Sequence, residues 1–214
     1  MSSCDNKAGN SIVYMAENNI IEFRLMNESD IPDVANHVQG GYRGEESTIG
    51  WTHESNLVDG QRVDESMLLD TLKSSTSEIY LLLYQLSLSP TANENPILNI
   101  IHETCALSGN NIIGCIQLDY CTDIVHFGLF TVNPKLQNLG FGRWLLQKAE
   151  EFTTLRSINR IGMSVISIRG ELIAWYERRG FKKTGVTAKF PNDKRFGIPK
   201  VENLTFIEME KFLE

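Results

Sequence analysis

The segment Val132-Asn133-Pro134-Lys135-Leu136-Gln137-Asn138-Leu139-Gly140-Phe141-Gly142-Arg143 restricts the fold more than any other part of the chain. Before it lies an apolar run of strand length, Ile124 to Val132, which stops at Asn133-Pro134, because proline offers no N–H to a ladder. After it, Phe141, Trp144, Leu145, Ala149, Phe152 and Leu155 recur near the helical period, with Glu150 and Glu151 on the outer face. A strand that turns through glycines into a long amphipathic helix requires a sheet with that helix packed on it. It also leaves the first helical N–H groups, and their partial positive charge, facing whatever lies beyond the strand end. An anion such as a pyrophosphate suits that position. Gly140 and Gly142 let the backbone come close, and Arg143 adds a cation. Two glycines at such a junction also occur merely to make the turn.

The other elements follow from periodicity. Ile21, Phe23 and Leu25 alternate with Glu22 and Arg24 as in a half-buried strand, and Glu28-Ser29-Asp30 before Pro32 marks a helix start running to about Val38. Gly40 to Asp64 shows no sustained period and predicts a long irregular segment of the kind that shapes binding sites. Met67, Leu68 and Leu72 predict a second helix, and Ile79 to Leu88 a strand buried on both faces, followed by a turn-rich insertion from Ser89 to Pro96. Ile97 to Thr104 and Ile112 to Tyr120 predict two more strands with hairpin chemistry at Ser108 to Asn111. Strand Ile161 to Ile168, a helix from Glu171 to Arg179 capped by Gly180, and strands Phe181 to Phe190 and Leu204 to Met209 complete the series. The expected fold is α/β, a single domain over residues 19–214 with a mixed, mostly antiparallel sheet of six to eight strands and helices on both faces. Residues 1–18 are expected to form a flexible tail.

At 214 residues and 42% apolar, the chain can bury one core. Its net charge of −7 provides no general attraction to nucleic acid or an anionic membrane, and no run reaches the ~20 apolar residues of a span. Cys4, Cys105, Cys115 and Cys121 lack zinc-type pairing, so the expectation is reduced thiols, no metal and a cytoplasmic protein, monomer or homodimer.

Gln137-x-x-Gly140-x-Gly142 resembles the acyl-CoA-binding pattern of the GNAT superfamily of N-acetyltransferases. Downstream, Tyr176 followed four residues later by Gly180-Phe181 resembles the last motif of that family. The resemblance covers about Ile112 to Thr184. It implies a GNAT fold and acetyl transfer from acetyl-CoA, the cosubstrate, to a primary amine of a small molecule or peptide by direct attack. A CoA-binding regulatory module and a GNAT-fold interaction module without turnover remain as alternatives.

By the same resemblance, Phe130, Thr131 and Val132 line the slot for the pantetheine arm, Gln137, Asn138, Leu139, Gly140, Phe141, Gly142 and Arg143 form the phosphate cradle, and Tyr176 protonates the leaving thiolate. Many members carry an asparagine seven residues before the tyrosine. Here Arg169 stands there, to hold a CoA phosphate or to face solvent. A lysine-type amine costs about 4.6 kcal/mol to deprotonate at pH 7, an α-amino group about 1 kcal/mol. His126, eleven residues before Gln137, occupies the position of a glutamate base in the protein-lysine-acetylating branch; Asp119, Tyr120 and Glu103 compete with it, and a strand histidine also serves structural ends. Tyr42 and Trp51 are the expected acceptor-side residues, within Gly41-Tyr42-Arg43-Gly44 and Gly50-Trp51-Thr52, an arrangement similar to one in poorly characterised GNAT proteins. The acids between Gly40 and Glu65 outnumber Arg43 and Arg62, which favours a cationic amine or describes a solvated loop.

Overall fold

The computed structural model describes residues 20–85, 96–191 and 193–214. The expected tail at 1–18, residues 89–95 of the expected insertion and the far end of the second expected strand, 86–88, lie outside the described residues.

Seven strands form one sheet in the order β1-β3-β4-β5-β6-β9-β7. They are β1 (Ile21–Leu25), β3 (Ser77–Tyr84), β4 (Ile112–Tyr120), β5 (Val125–Val132), β6 (Arg160–Ile166), β7 (Lys182–Lys189) and β9 (Thr205–Phe212). Val58–Asp59 (β2) and Ile198–Pro199 (β8) pair separately as a short ribbon. Every neighbouring pair is antiparallel except β5 with β6. The helices are α1 (Ile31–Tyr42), α2 (Glu65–Lys73), α3 (Pro96–Ser108), α4 (Phe141–Leu155) and α5 (Gly170–Glu177).

Strand β3 explains the continuous apolar run in the sequence, because it is covered on both faces. Ile79, Leu81 and Leu83 join the cluster around Val34, Val38 and Leu68 of α1 and α2. The alternate residues Tyr80, Leu82 and Tyr84 join Ile101 of α3 and Leu145 and Ala149 of α4. Each such side chain contributes about 1.5–3 kcal/mol of burial.

The segment Ile97–Thr104 is helix, not the expected strand. Pro96 starts it, and its buried residues Leu98, Ile101, Thr104 and Cys105 fall at helical spacing. Of its isoleucines only Ile101 is fully buried on that face, while Ile100 is exposed, so helical packing at Leu98, Ile101 and Cys105 outweighs the β propensity of the run. The supposed hairpin at Ser108–Asn111 is consequently the end of α3, where Gly109 takes φ +68°. Helix α1 also runs on past Val38 to Tyr42 through two glycines. A Cβ on Gly41 would lie 2.3 Å from Thr131 Cγ2, so the glycine permits the close approach of α1 to β5.

Two irregularities govern β5. Opposite β4, the register slips between Cys115↔Thr131 and Gln117↔Gly128, a bulge that places Leu129 at φ +41°, a conformation costing about 1–3 kcal/mol. The carbonyl of Leu129 accepts from the Cys115 thiol and from the Thr131 hydroxyl, each at 3.2 Å. Burial pushes the Cys115 thiol up to about 12, which keeps it protonated as a donor. On its other side β5 pairs with β6 only at Val125↔Ile161 and His126↔Gly162, and beyond that the two strands part.

His37 of α1 is buried over the Thr131 backbone, and burial lowers its pKa from 6.5 to about 4. The unfolded chain therefore binds the proton first, and stability falls as pH drops through 6.5 until both states are protonated below about 4. The loss expected across that window is roughly 3 kcal/mol. Urea unfolding at pH 7 and pH 4.5 should show it, and His37→Gln should flatten that dependence.

Candidate active site

The parting of β5 from β6 is the mouth of the site. Two cavities open there, one of about 890 Å³ and one of about 240 Å³, with Tyr42, Phe130, Arg169, Leu172 and Tyr176 lining both. The five form a waist between them.

The larger cavity runs along the start of α4. Asn133 caps the 3₁₀ turn Pro134–Leu136, Asn138 takes φ +66° and Gly140 φ +94°, and the chain enters the helix with no side-chain cap. The first helical bond runs from Trp144 N–H to Gly140 O, which leaves the N–H groups of Phe141, Gly142 and Arg143 for a ligand. A Cβ on Gly142 would stand 3.8 Å from Phe130 and Val132 and 3.9 Å from Trp175. Protein packing alone would thus admit alanine; the bare glycine keeps the cavity floor open. Arg143, Arg178 and Arg179 line the same cavity, and the Arg179 guanidinium lies 3.5 Å from the Trp175 ring centroid. Free N–H groups, an open floor and three cations fit a phosphate-bearing cosubstrate such as acetyl-CoA.

Of the residues expected to hold that cosubstrate, Phe130, Thr131, Val132, Gln137, Asn138, Gly140, Gly142, Arg143 and Arg169 line the larger cavity. Leu139 and Phe141 do not; the Phe141 side chain is buried in the core, so only its backbone faces the helix start. The Gln137 side chain turns away from the phosphate position to staple another loop. Its Oε1 accepts from Trp51 N–H at 3.0 Å and its Nε2 donates to Thr52 Oγ1 at 2.9 Å. Trp51, expected on the acceptor side, accordingly lines the larger cavity, whereas Tyr42 sits at the waist and donates from its hydroxyl to Phe130 O at 3.2 Å.

Tyr176 reaches the waist from α5 through the turn that Gly180 (φ +90°) closes, with Phe181 N–H bonded to Tyr176 O at 3.2 Å. Its ring is held edge-on by Trp175 and Phe181, at 5.0 and 5.7 Å between centroids. Burial raises its pKa far above the usual phenol range, with the Tyr42 charge adding to that and Arg169 and Arg179 opposing it. The hydroxyl is held as a neutral donor.

His126 is not brought to the site. It lines neither cavity, because it lies where β5 is still paired with β6, before the parting begins. Asp119, Tyr120 and Glu103 line neither cavity as well; Asp119 accepts from Gln117 and Tyr120 donates to Glu78.

Arg169 points inward rather than to solvent, its side chain 10% exposed at the edge of both cavities. It donates to Glu54 Oε1 at 3.1 Å and to the Thr52 carbonyl. Arg43 donates to Glu54 Oε2 at 3.3 Å, to Phe196 O at 2.7 Å and to Gln61 O. Glu54 is 6% exposed between them, a buried triad that joins the end of α1, the loop before β2, the start of α5 and the 3₁₀ turn Lys194–Phe196. Sequence reading counted Glu54 as one more loop acid. No local spacing separates a buried carboxylate from solvated ones when its partners lie 11 and 115 residues away.

The mostly antiparallel sheet, its parting and the glycine-flanked helix start together make up a GNAT-like fold. Residues 101–183 match the family model described as the acetyltransferase (GNAT) domain. Solved structures agree in fold. The protein smu.2055 from Streptococcus mutans UA159 is similar at 16% identity, with 90% of this chain and 99% of that one covered and a TM-score of 0.58. The ribosomal-protein-S18-alanine N-acetyltransferase from Escherichia coli is 14% identical, covering 91% and 94% with a TM-score of 0.57. Mutant forms of the spermidine/spermine N-acetyltransferase SpeG from Vibrio cholerae align at 14% identity over 91% and 94%, with a TM-score of 0.55. Comparison with curated protein sequences gives no match.

Glu54→Ala would leave two buried guanidinium groups facing each other. The expected cost is about 3–5 kcal/mol, read as a lower urea midpoint with an unchanged slope.

Proposed function

We propose that the protein is an N-acetyltransferase that uses acetyl-CoA and a primary amine. The observation that carries this reading is the pair of cavities meeting at the buried Tyr176 hydroxyl, where one cavity contains an uncapped helix start and the other does not. A transferase needs two substrates admitted from separate sides to one point. The acetyltransferase domain match and the amine acceptors named for the Escherichia coli and Vibrio cholerae proteins support an amine as acceptor.

Acetyl-CoA supplies a thioester open to direct attack by an amine, giving an amide and a free thiol. The chain's residues do the rest. The N–H groups of Phe141, Gly142 and Arg143 bind phosphate, assisted by Arg178 and Arg179. Backbone of Phe130 to Val132, freed by the parting of β5 from β6, lines the arm's path. Tyr42 donates to Phe130 O and so fixes that edge of the slot. Tyr176, protonated at neutral pH like an ordinary phenol, donates its proton to the departing thiolate and is reprotonated from solvent. Phe127, Phe130 and Leu172 exclude water from the meeting point.

At acetyl-CoA concentrations of about 100 Kd, the folded state should gain about 2.7 kcal/mol, visible as a raised Tm, and Gly142→Glu should abolish the gain. Tyr176→Phe should keep the Tm shift while thiol release falls on the order of a hundredfold in kcat. A wild type without a shift would reject the proposal; a shift without thiol release from any amine would favour the regulatory module.

A further inference from the structure

The smaller cavity has a charge pattern that loop composition did not foretell. Glu45 and Glu46 are exposed, and Glu46 pairs with Lys135 outside. Asp64 is consumed capping α2 through Met67 N–H. Of the loop acids only Glu54 reaches the smaller cavity, and it meets three arginines there: Arg43, Arg62 and Arg169. Both Glu54 oxygens are occupied, one by Arg43 and one by Arg169. A cationic acceptor would therefore meet no available carboxylate and a net positive wall.

Arg62 differs from the other two arginines. Its backbone is fixed, with N–H bonded to Gln39 Oε1 at 2.9 Å. Its guanidinium lies over the Tyr42 ring at 5.2 Å and, among the described residues, makes no hydrogen bond or ion pair. A half-buried guanidinium, partnered only by an aromatic face, retains its in-plane donors for an anion. The remaining wall is apolar, with Met163, Leu172, Phe190 and Phe206 prominent. These features together describe a site for a small molecule with an apolar body and a carboxylate, presenting its amine to the waist.

We propose that the smaller cavity takes a free α-amino acid with an apolar side chain, its carboxylate on Arg62, its side chain on the aromatic wall and its amine directed to Tyr176. This rests on the reading of the larger cavity as the acetyl-CoA site. The reaction keeps its balance: the amine nitrogen forms the new C–N bond, the C–S bond breaks, the amine loses a proton and the thiolate gains one.

The test is thiol release with acetyl-CoA and L-phenylalanine, L-phenylalaninamide or spermidine, for the wild type, Arg62→Gln and Arg62→Lys. The acid should exceed the amide about tenfold or more in kcat/KM; Arg62→Gln should bring that ratio near one through KM, and Arg62→Lys should keep most of it. Spermidine or the amide serving as well as the acid, or Arg62→Gln lowering acid and amide alike, overturns the inference. A second measurement holds if turnover is slow. N-acetyl-L-phenylalanine should raise the Tm of the CoA-bound wild type but not of Arg62→Gln, and no rise in the wild type overturns the inference. Preference for spermidine with an intact acetyl-CoA shift refutes the acceptor class alone, whereas absence of that shift refutes the enzyme reading as well.

Discussion

The pairing of β5 with β6 stops after two residues, and the rest of the site depends on that stop. Had the ladder continued, the backbone of Phe127 to Val132 would be bonded on both sides and the sheet would have no cleft. The bulge at Leu129 accompanies the departure on the other side of the same strand, where the cost of the left-handed residue is offset by its carbonyl's bonds to Cys115 and Thr131. Helix α4, connecting β5 to β6, then begins at the open end of the parting, so that geometry and helix electrostatics arrive at one place.

A second constraint holds the wall of the smaller cavity together. The Arg43–Glu54–Arg169 triad bridges segments that share no strand pairing, and the β2–β8 ribbon lies beside it. Main-chain carbonyls of Gln61, Phe196 and Thr52 take further donors of the two arginines, which helps three charges lie out of water, although Arg43 Nε is buried without a partner among the described residues. The long segment after α1, irregular by period, is thereby given a defined course. Its anchoring lies in these side-chain ion pairs together with the two-residue β2–β8 ladder.

Sequence reading reached what local chemistry encodes. The glycines at 140 and 142, the helix after them and the tyrosine before Gly180 were legible, because turn chemistry and helical period act within a few residues. The sheet's size and mostly antiparallel character were legible too. Helix α3 differs from the expected strand, since its isoleucines carry β propensity while the face that buries Leu98 and Ile101 packs on β3 and the turn Pro134–Leu136. Arg169 and Glu54 were legible as residues but not as partners. The position of His126 turned on where a parallel pairing ends, which no count of residues along one strand reveals.

The bonds from Gln137 to Trp51 and Thr52 fasten the loop beneath the helix start to the loop beside the waist. A Cβ on Gly50 would sit 2.8 Å from Gln137 Oε1, so the fit is close on both sides. A change in either loop must therefore be matched in the other, because both line the larger cavity and share these two bonds.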